Sequence, residues 1–120
     1  MAWLERAYSL FNDRQVDDLL AMMSDDVEWP DVANGAVLRG KEAVRSYWVG
    51  QFAVANPQVT PTDFIEVGND VVVVIDQIVL DLSGAPLVPS FTVFHRYRFD
   101  DSLVDRMEVF TDRDQAVVRT

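Results

Sequence analysis

One histidine, no cysteine and twenty acidic side chains bound the chemistry open to this 120-residue chain. Without a thiol there is no disulfide, no thiolate nucleophile and no cysteine metal site. With a single imidazole a zinc site would rest on carboxylates, so no metal is expected. His95, the lone imidazole, is the first candidate for chemistry. In 90–99 the odd positions Phe91, Val93, His95, Tyr97 and Phe99 form an apolar row that alternates with Ser90, Thr92, Arg96 and Arg98. The odd row should face the core, with His95 in its middle. Asp76 is the second candidate. A hairpin through 83–86 would put even positions of the preceding strand on the same face as odd positions of 90–99. Asp76 then points inward opposite His95 or Val93, where a carboxylate would orient the imidazole and favour its protonated form. The alternative is that Asp76 marks a bulge or fixes its neighbour's backbone.

The elements that must position these groups fit one domain over 1–120, at 49% hydrophobic and 25% charged residues. The longest apolar run is 71–75, ended by Asp76, far short of the roughly 18 residues of a membrane span. The net charge of −10 repels phosphate backbones and anionic lipid, so neither nucleic acid nor membrane is an expected partner. The opening MAWLERAYSL has no basic start, apolar stretch or small-residue cleavage site, and a cytoplasmic location is expected.

Trp3, Leu4, Ala7, Tyr8, Leu10 and Phe11 recur at helical spacing until Asn12-Asp13. Asp13 can cap a second helix over 15–23, ended by Ser24-Asp25-Asp26. Val27-Glu28-Trp29 reads as a short strand halted by Pro30, and 31–39 as a loop turning at Asn34-Gly35. A third helix covers 41–52, with Val44, Tyr47, Trp48 and Phe52 at helical intervals. From Val59 the period is two, and the spacing predicts strands over 58–66, 71–82, 90–99 and 103–111. The turns between them fall at Asn69-Asp70, at 83–86 and at 100–102. Helices followed by an antiparallel meander make an α+β architecture. Strand 71–82 is apolar on both faces, with Val72, Val74, Ile78, Leu80 and Leu82 on one and Val71, Val73, Ile75 and Val79 on the other. Both faces then need covering, one by the helices and the other by a second subunit.

The order helix, LLAMMSDDVEWPD, a loop ending in LRGKEAVRSYW, then four strands resembles the nuclear-transport-factor-2-like superfamily, in its SnoaL-like and ketosteroid-isomerase-like branches. The likeness spans nearly the whole chain. It implies a cone-shaped α+β barrel: three N-terminal helices packed on a curved, mainly antiparallel sheet that encloses a cavity. It also implies a homodimer through the sheet face. In the isomerase branch a carboxylate just past the first strand is the general base, and aligning on SDDVEWPD puts Asp31 there. The other use of such an Asp is to cap its loop in an Asx turn. The isomerase's oxyanion hole pairs a first-helix tyrosine with a protonated strand acid. Tyr8 lies one residue from the first position, and His95 stands at the second as a hydrogen-bond donor to a developing enolate.

Cyclase branches use a strand aspartate, for which Asp105 and Asp112 are the candidates; whether Asp105 and Met107 or Arg106 and Glu108 face inward depends on the 100–102 turn. An epoxide-hydrolase grouping of Asp76, Arg106 and Asp31 needs the other register. The expected cavity walls are Trp29, Tyr47, Trp48, Phe52, Phe91, Val93, Tyr97, Met107 and Val109, which suit a small hydrophobic molecule. The acidic run Asp13, Asp17, Asp18, Asp25, Asp26 and Glu28 reads as a solvated face without a calcium loop's ligand pattern. Two functions fit. One is a cofactor-independent acid–base enzyme of isomerase, dehydratase or cyclase type, with Asp31 as base, His95 oriented by Asp76 and Tyr8 assisting. The other is a non-catalytic binding protein anchoring a hydrophobic ligand on His95, or an accessory dimerisation module.

Overall fold

Apolar spacing places helix α1 at Ala2–Asn12, burying Leu4, Ala7, Tyr8 and Leu10, in a computed structural model that describes residues 2–118. At its end Arg14 takes a left-handed φ of 62°. Its guanidinium donates to the Phe11 and Pro57 carbonyls at 2.9 and 2.8 Å and lies 4.0 Å from the Phe52 ring centre. That corner fastens α1 to strand β3 (Asn56–Val67). Helix α2 (Val16–Leu20) starts after Gln15 without a side-chain cap, so the expected cap by Asp13 does not form.

Helix α2 is short because Met23 already opens strand β1 (Met23–Asp31). Ser24-Asp25-Asp26 therefore belongs to a strand: Asp25 and Asp26 are exposed while Met23 and Val27 are buried. Pro30 does not halt it. It lies past Glu28, where pairing with β6 ends, and opposes Val37 of strand β2 (Ala36–Arg39). The expected loop 31–39 is thus a hairpin whose turn needs the positive φ of Gly35, 63°. Helix α3 (Lys41–Val54) buries Val44 and Trp48 against β1 and β3.

Strands β4 (Asp70–Leu80), β5 (Phe91–Asp100) and β6 (Leu103–Phe110) complete a six-stranded sheet in the order β2-β1-β6-β5-β4-β3. Only β1–β6 is parallel. Helices α1, α2 and α3 share one core with one face of this open sheet, giving the expected α+β cone. Past β6 the described residues form no further strand. Asp112 accepts from Asp114 N at 3.1 Å and caps helix α4 (Arg113–Ala116). Ala116 and Val117 then pack with Val67, Val72 and Phe94 on the other sheet face. Part of the second apolar face of β4 is therefore covered from within the chain.

Two turns set the register. Between β4 and β5, Asp81 N donates to Ala85 O at 2.8 Å and Gly84 N to Asp81 O at 3.0 Å, with Gly84 at φ 94°. This encloses a loop of odd length, 82–84, so odd residues oppose odd ones: Val73 faces His95 and Ile75 faces Val93. Asp76 consequently opposes Thr92 on the outer face, exposed, with Thr92 Oγ1 at 3.5 Å. The inward Asp76–His95 pair expected from an even loop does not exist. Between β5 and β6, Asp101 and Ser102 both have positive φ (51° and 67°), the geometry of a two-residue type I′ turn. The ladder then skips Asp105, which accepts from Arg98 Nη2 at 2.6 Å. Met107 and Val109 thereby oppose Tyr97 and His95 on the inner face.

Trp48, 1% exposed, stands between Phe11 and Trp29 at ring-centre distances of 5.9 and 5.3 Å. Replacing it with alanine is expected to cost about 3–5 kcal/mol, read from the shift in urea midpoint at unchanged m-value.

Candidate ligand site

Alternation along β5 delivers His95 and Tyr97 to the helical side of the sheet, and α1 brings Tyr8 down onto them. The Tyr8 hydroxyl lies 2.9 Å from His95 Nδ1 and 2.6 Å from the Tyr97 hydroxyl. All three residues are buried. Two proton arrangements satisfy the chain. Tyr97 donates to Tyr8, which donates to Nδ1 and leaves Nε2–H as a donor. Alternatively Nδ1–H donates to Tyr8, which donates to Tyr97; Nε2 is then an acceptor and the Tyr97 O–H is released. Among the described residues no fully buried side-chain nitrogen or oxygen is left without a partner.

Burial sets the charge state of this chain. Desolvation pushes the His95 pKa down to about 4, so the imidazole is neutral at neutral pH. Burial raises Tyr8 and Tyr97 well above the usual phenol value; beyond that, Tyr97 raises Tyr8 further, whereas the bond from Tyr8 moderates the rise at Tyr97. The site is therefore an uncharged set of donors and acceptors.

These groups border a cavity of about 50 Å³ whose other walls are apolar. Trp29, Trp48, Tyr97, His95 and Tyr8 line it as expected, and Asp76 lies on the opposite sheet face. Asp31, though buried, does not line it: its carboxylate accepts from Asn34 N at 3.3 Å and Asn34 Nδ2 at 2.8 Å, which caps the β1–β2 turn. Tyr47 is half-buried and receives Gln51 Nε2 at 3.0 Å. Burial and the Asp31 charge raise its pKa. Phe52 packs on Phe11 outside the lining, and Val93 and Met107 fill the core. Val109 packs against that core and does not line the cavity. Phe91, although on the inner parity, is 39% exposed at the start of β5. The walls that sequence reasoning did not assign are Trp3, Leu4, Phe11, Met22, Val59 and Val104, among others. Their helical or alternating spacing marked them as core, and no further signal distinguished core from cavity wall.

Three helices on one face of an open mixed sheet, with a polar chain inside an apolar cavity, define a protein of the nuclear-transport-factor-2-like class. Within it the chain belongs to the SnoaL-like domain family, whose model matches residues 4–119. The structure is similar to that of TerC co-crystallised with polyporic acid, at 27% identity over 95% of this chain and 91% of that one, TM-score 0.78. It is also similar to a Mycobacterium tuberculosis protein in complex with estradiol-17β-hemisuccinate, at 19% identity over 90% and 89% of the two chains, TM-score 0.75. The Δ5-3-ketosteroid isomerase from Mycobacterium sp. gives 18% identity over 90% and 88%, TM-score 0.74. At these identities the last two establish the fold. No curated protein matches the sequence. Among the described residues no helix is long and apolar enough to cross a membrane.

The buried neutral imidazole makes stability depend on pH. The folded pKa of about 4 lies below the unfolded value of 6.5, so below pH 6.5 the unfolded chain binds the extra proton. The stabilisation is complete above 6.5 and is lost as pH falls toward 4. Between pH 6.5 and 5 the unfolding free energy should fall, approaching a slope of about 1.4 kcal/mol per unit. Urea titrations across that window test this, and His95→Gln should flatten the slope.

Proposed function

We propose that this protein binds a small, largely apolar molecule with one hydroxyl or carbonyl oxygen, seated on the Tyr8–His95–Tyr97 chain. The observation that carries the reading is a buried, uncharged run of hydrogen-bonding groups bordering an otherwise apolar cavity. Such a site favours a neutral polar group over an ion and gives orientation to a ligand held mainly by apolar contact. Because the chain can reverse its proton order, it suits either a carbonyl acceptor or a hydroxyl donor. The neighbours co-crystallised with polyporic acid and in complex with estradiol-17β-hemisuccinate lend support, as proteins of the same fold met with small molecules.

Catalysis by the same groups is the second reading. The 2.6 Å bond between Tyr8 and Tyr97 favours it, since linked phenols stabilise a developing enolate oxygen. A base is the weak point. Asp31 is engaged by Asn34, and an imidazole with a pKa near 4 takes protons poorly at neutral pH. Binding is therefore the stronger reading. A homodimer through the outer sheet face goes with it, because α4 covers only part of that face; light scattering would then return twice 13.6 kDa.

Phenol and toluene, alike in size and different in one oxygen, test the site. Phenol is expected to move the NMR signal of the lone imidazole and toluene to leave it nearly in place. In His95→Phe the phenol affinity should fall about tenfold, the worth of one buried hydrogen bond. Phenol binding that leaves the imidazole signal unchanged would refute the anchor.

A further inference from the structure

The cavity beside His95, about 50 Å³, is smaller than the roughly 150 Å³ of a dry cavity that admits benzene, so a ligand ring seats there only when a wall moves aside. A second apolar hollow of about 260 Å³ lies next to it, lined by Trp3, Val71, Phe99 and Ser102. Trp3 belongs to the walls of both. Its indole is half-buried and meets Phe99 edge-on at a ring-centre distance of 5.5 Å. Strand β5 runs beneath both spaces: His95 and Tyr97 border the inner one and Phe99 the outer, with successive ring centres 6.3 Å apart. Tyr97 and Phe99 are near parallel, at 29°.

We propose that the two hollows are halves of one ligand site, divided by the Trp3 indole, and that the ligand is an elongated aromatic molecule at least two rings long. This rests on the reading of His95 as the anchor. The oxygen-bearing ring sits at His95 and Tyr97, and the far ring lies over Phe99 against Val71, ending at Ser102. The span from His95 to Phe99 is roughly 13 Å at about 3.3 Å per residue, a length for two linked rings and not one. Displacing Trp3 joins the spaces into a volume within the range of roughly 300–1,000 Å³ typical of small-molecule sites. Trp3 is the wall suited to move, since it is half-buried in the first turn of α1 whereas its neighbour Leu4 is fully buried.

Phenol and 4-phenylphenol distinguish the halves. In the unmodified protein, 4-phenylphenol is expected to move both the imidazole signal and the backbone amide signals of Val71, Phe99 and Ser102. Phenol, one ring long, should move the imidazole and, through the displaced indole, Phe99, while leaving the Val71 and Ser102 amides in place. Trp3→Ala should raise the affinity for 4-phenylphenol several-fold, since no indole then needs displacing; Trp3→Leu serves if the alanine variant does not fold. With 4-phenylphenol, imidazole shifts without shifts at the Val71 and Ser102 amides would overturn the joined site and leave the anchor standing. Outer shifts without imidazole shifts would also overturn it, as two unconnected sites. No shift at either place with either phenol would remove the anchor and the extension together.

Discussion

Everything inside the cavity depends on which way β5 faces. One strand supplies two of the three polar groups, and its inward row is fixed by hydrogen-bonded neighbours on both sides, β4 and β6. A slip of one residue would turn His95 and Tyr97 outward and bring Arg96 and Arg98 in. The core prevents it, because Val93 shares its face with His95 and closes against Ile75. The outer row is also committed: Arg96 is paired with Asp70 at 2.8 Å and bonded to the Ala116 carbonyl, while Phe94 packs under α4. Both faces of the strand thus hold the same register.

The acidity of the surface and the neutrality of the interior follow from one principle, the cost of removing charge from water. Carboxylates are plentiful, yet none lines the cavity among the described residues. Those near the site are engaged elsewhere: Asp31 by Asn34, and Asp105 by Arg98 and Ser24. What remains inside are two phenols and an imidazole, groups that can be buried uncharged and still satisfy one another. A cavity of this kind discriminates by the placement of a single polar atom more than by net charge.

Much of this was legible in the sequence, for identifiable reasons. The alternation 91–99 placed His95 and Tyr97 correctly because period two is a property of the strand itself. Asp76 was misplaced because its face depends on the parity of a distant loop, settled by where Gly84 takes its positive φ. Strand β2 escaped notice because, apart from half-buried Leu38, its residues are exposed and show no alternation. Helix α4, four residues long, is too short to show a period. The Tyr8–Tyr97 bond joins residues 89 positions apart, a proximity that only the assembled helix and sheet create. Trp3, Phe11 and Met22 were readable as apolar packing, but a wall differs from a core only by the gap beside it.

The three tryptophans of the chain, Trp3, Trp29 and Trp48, all border the inner cavity. They come from three different elements, α1, β1 and α3, and converge on one volume. The tryptophan emission of this protein is accordingly a report on that volume, with Trp3 also sensing the outer hollow. Changes in its polarity reach every tryptophan, while none of the three lies on the outer face of the sheet or on α4.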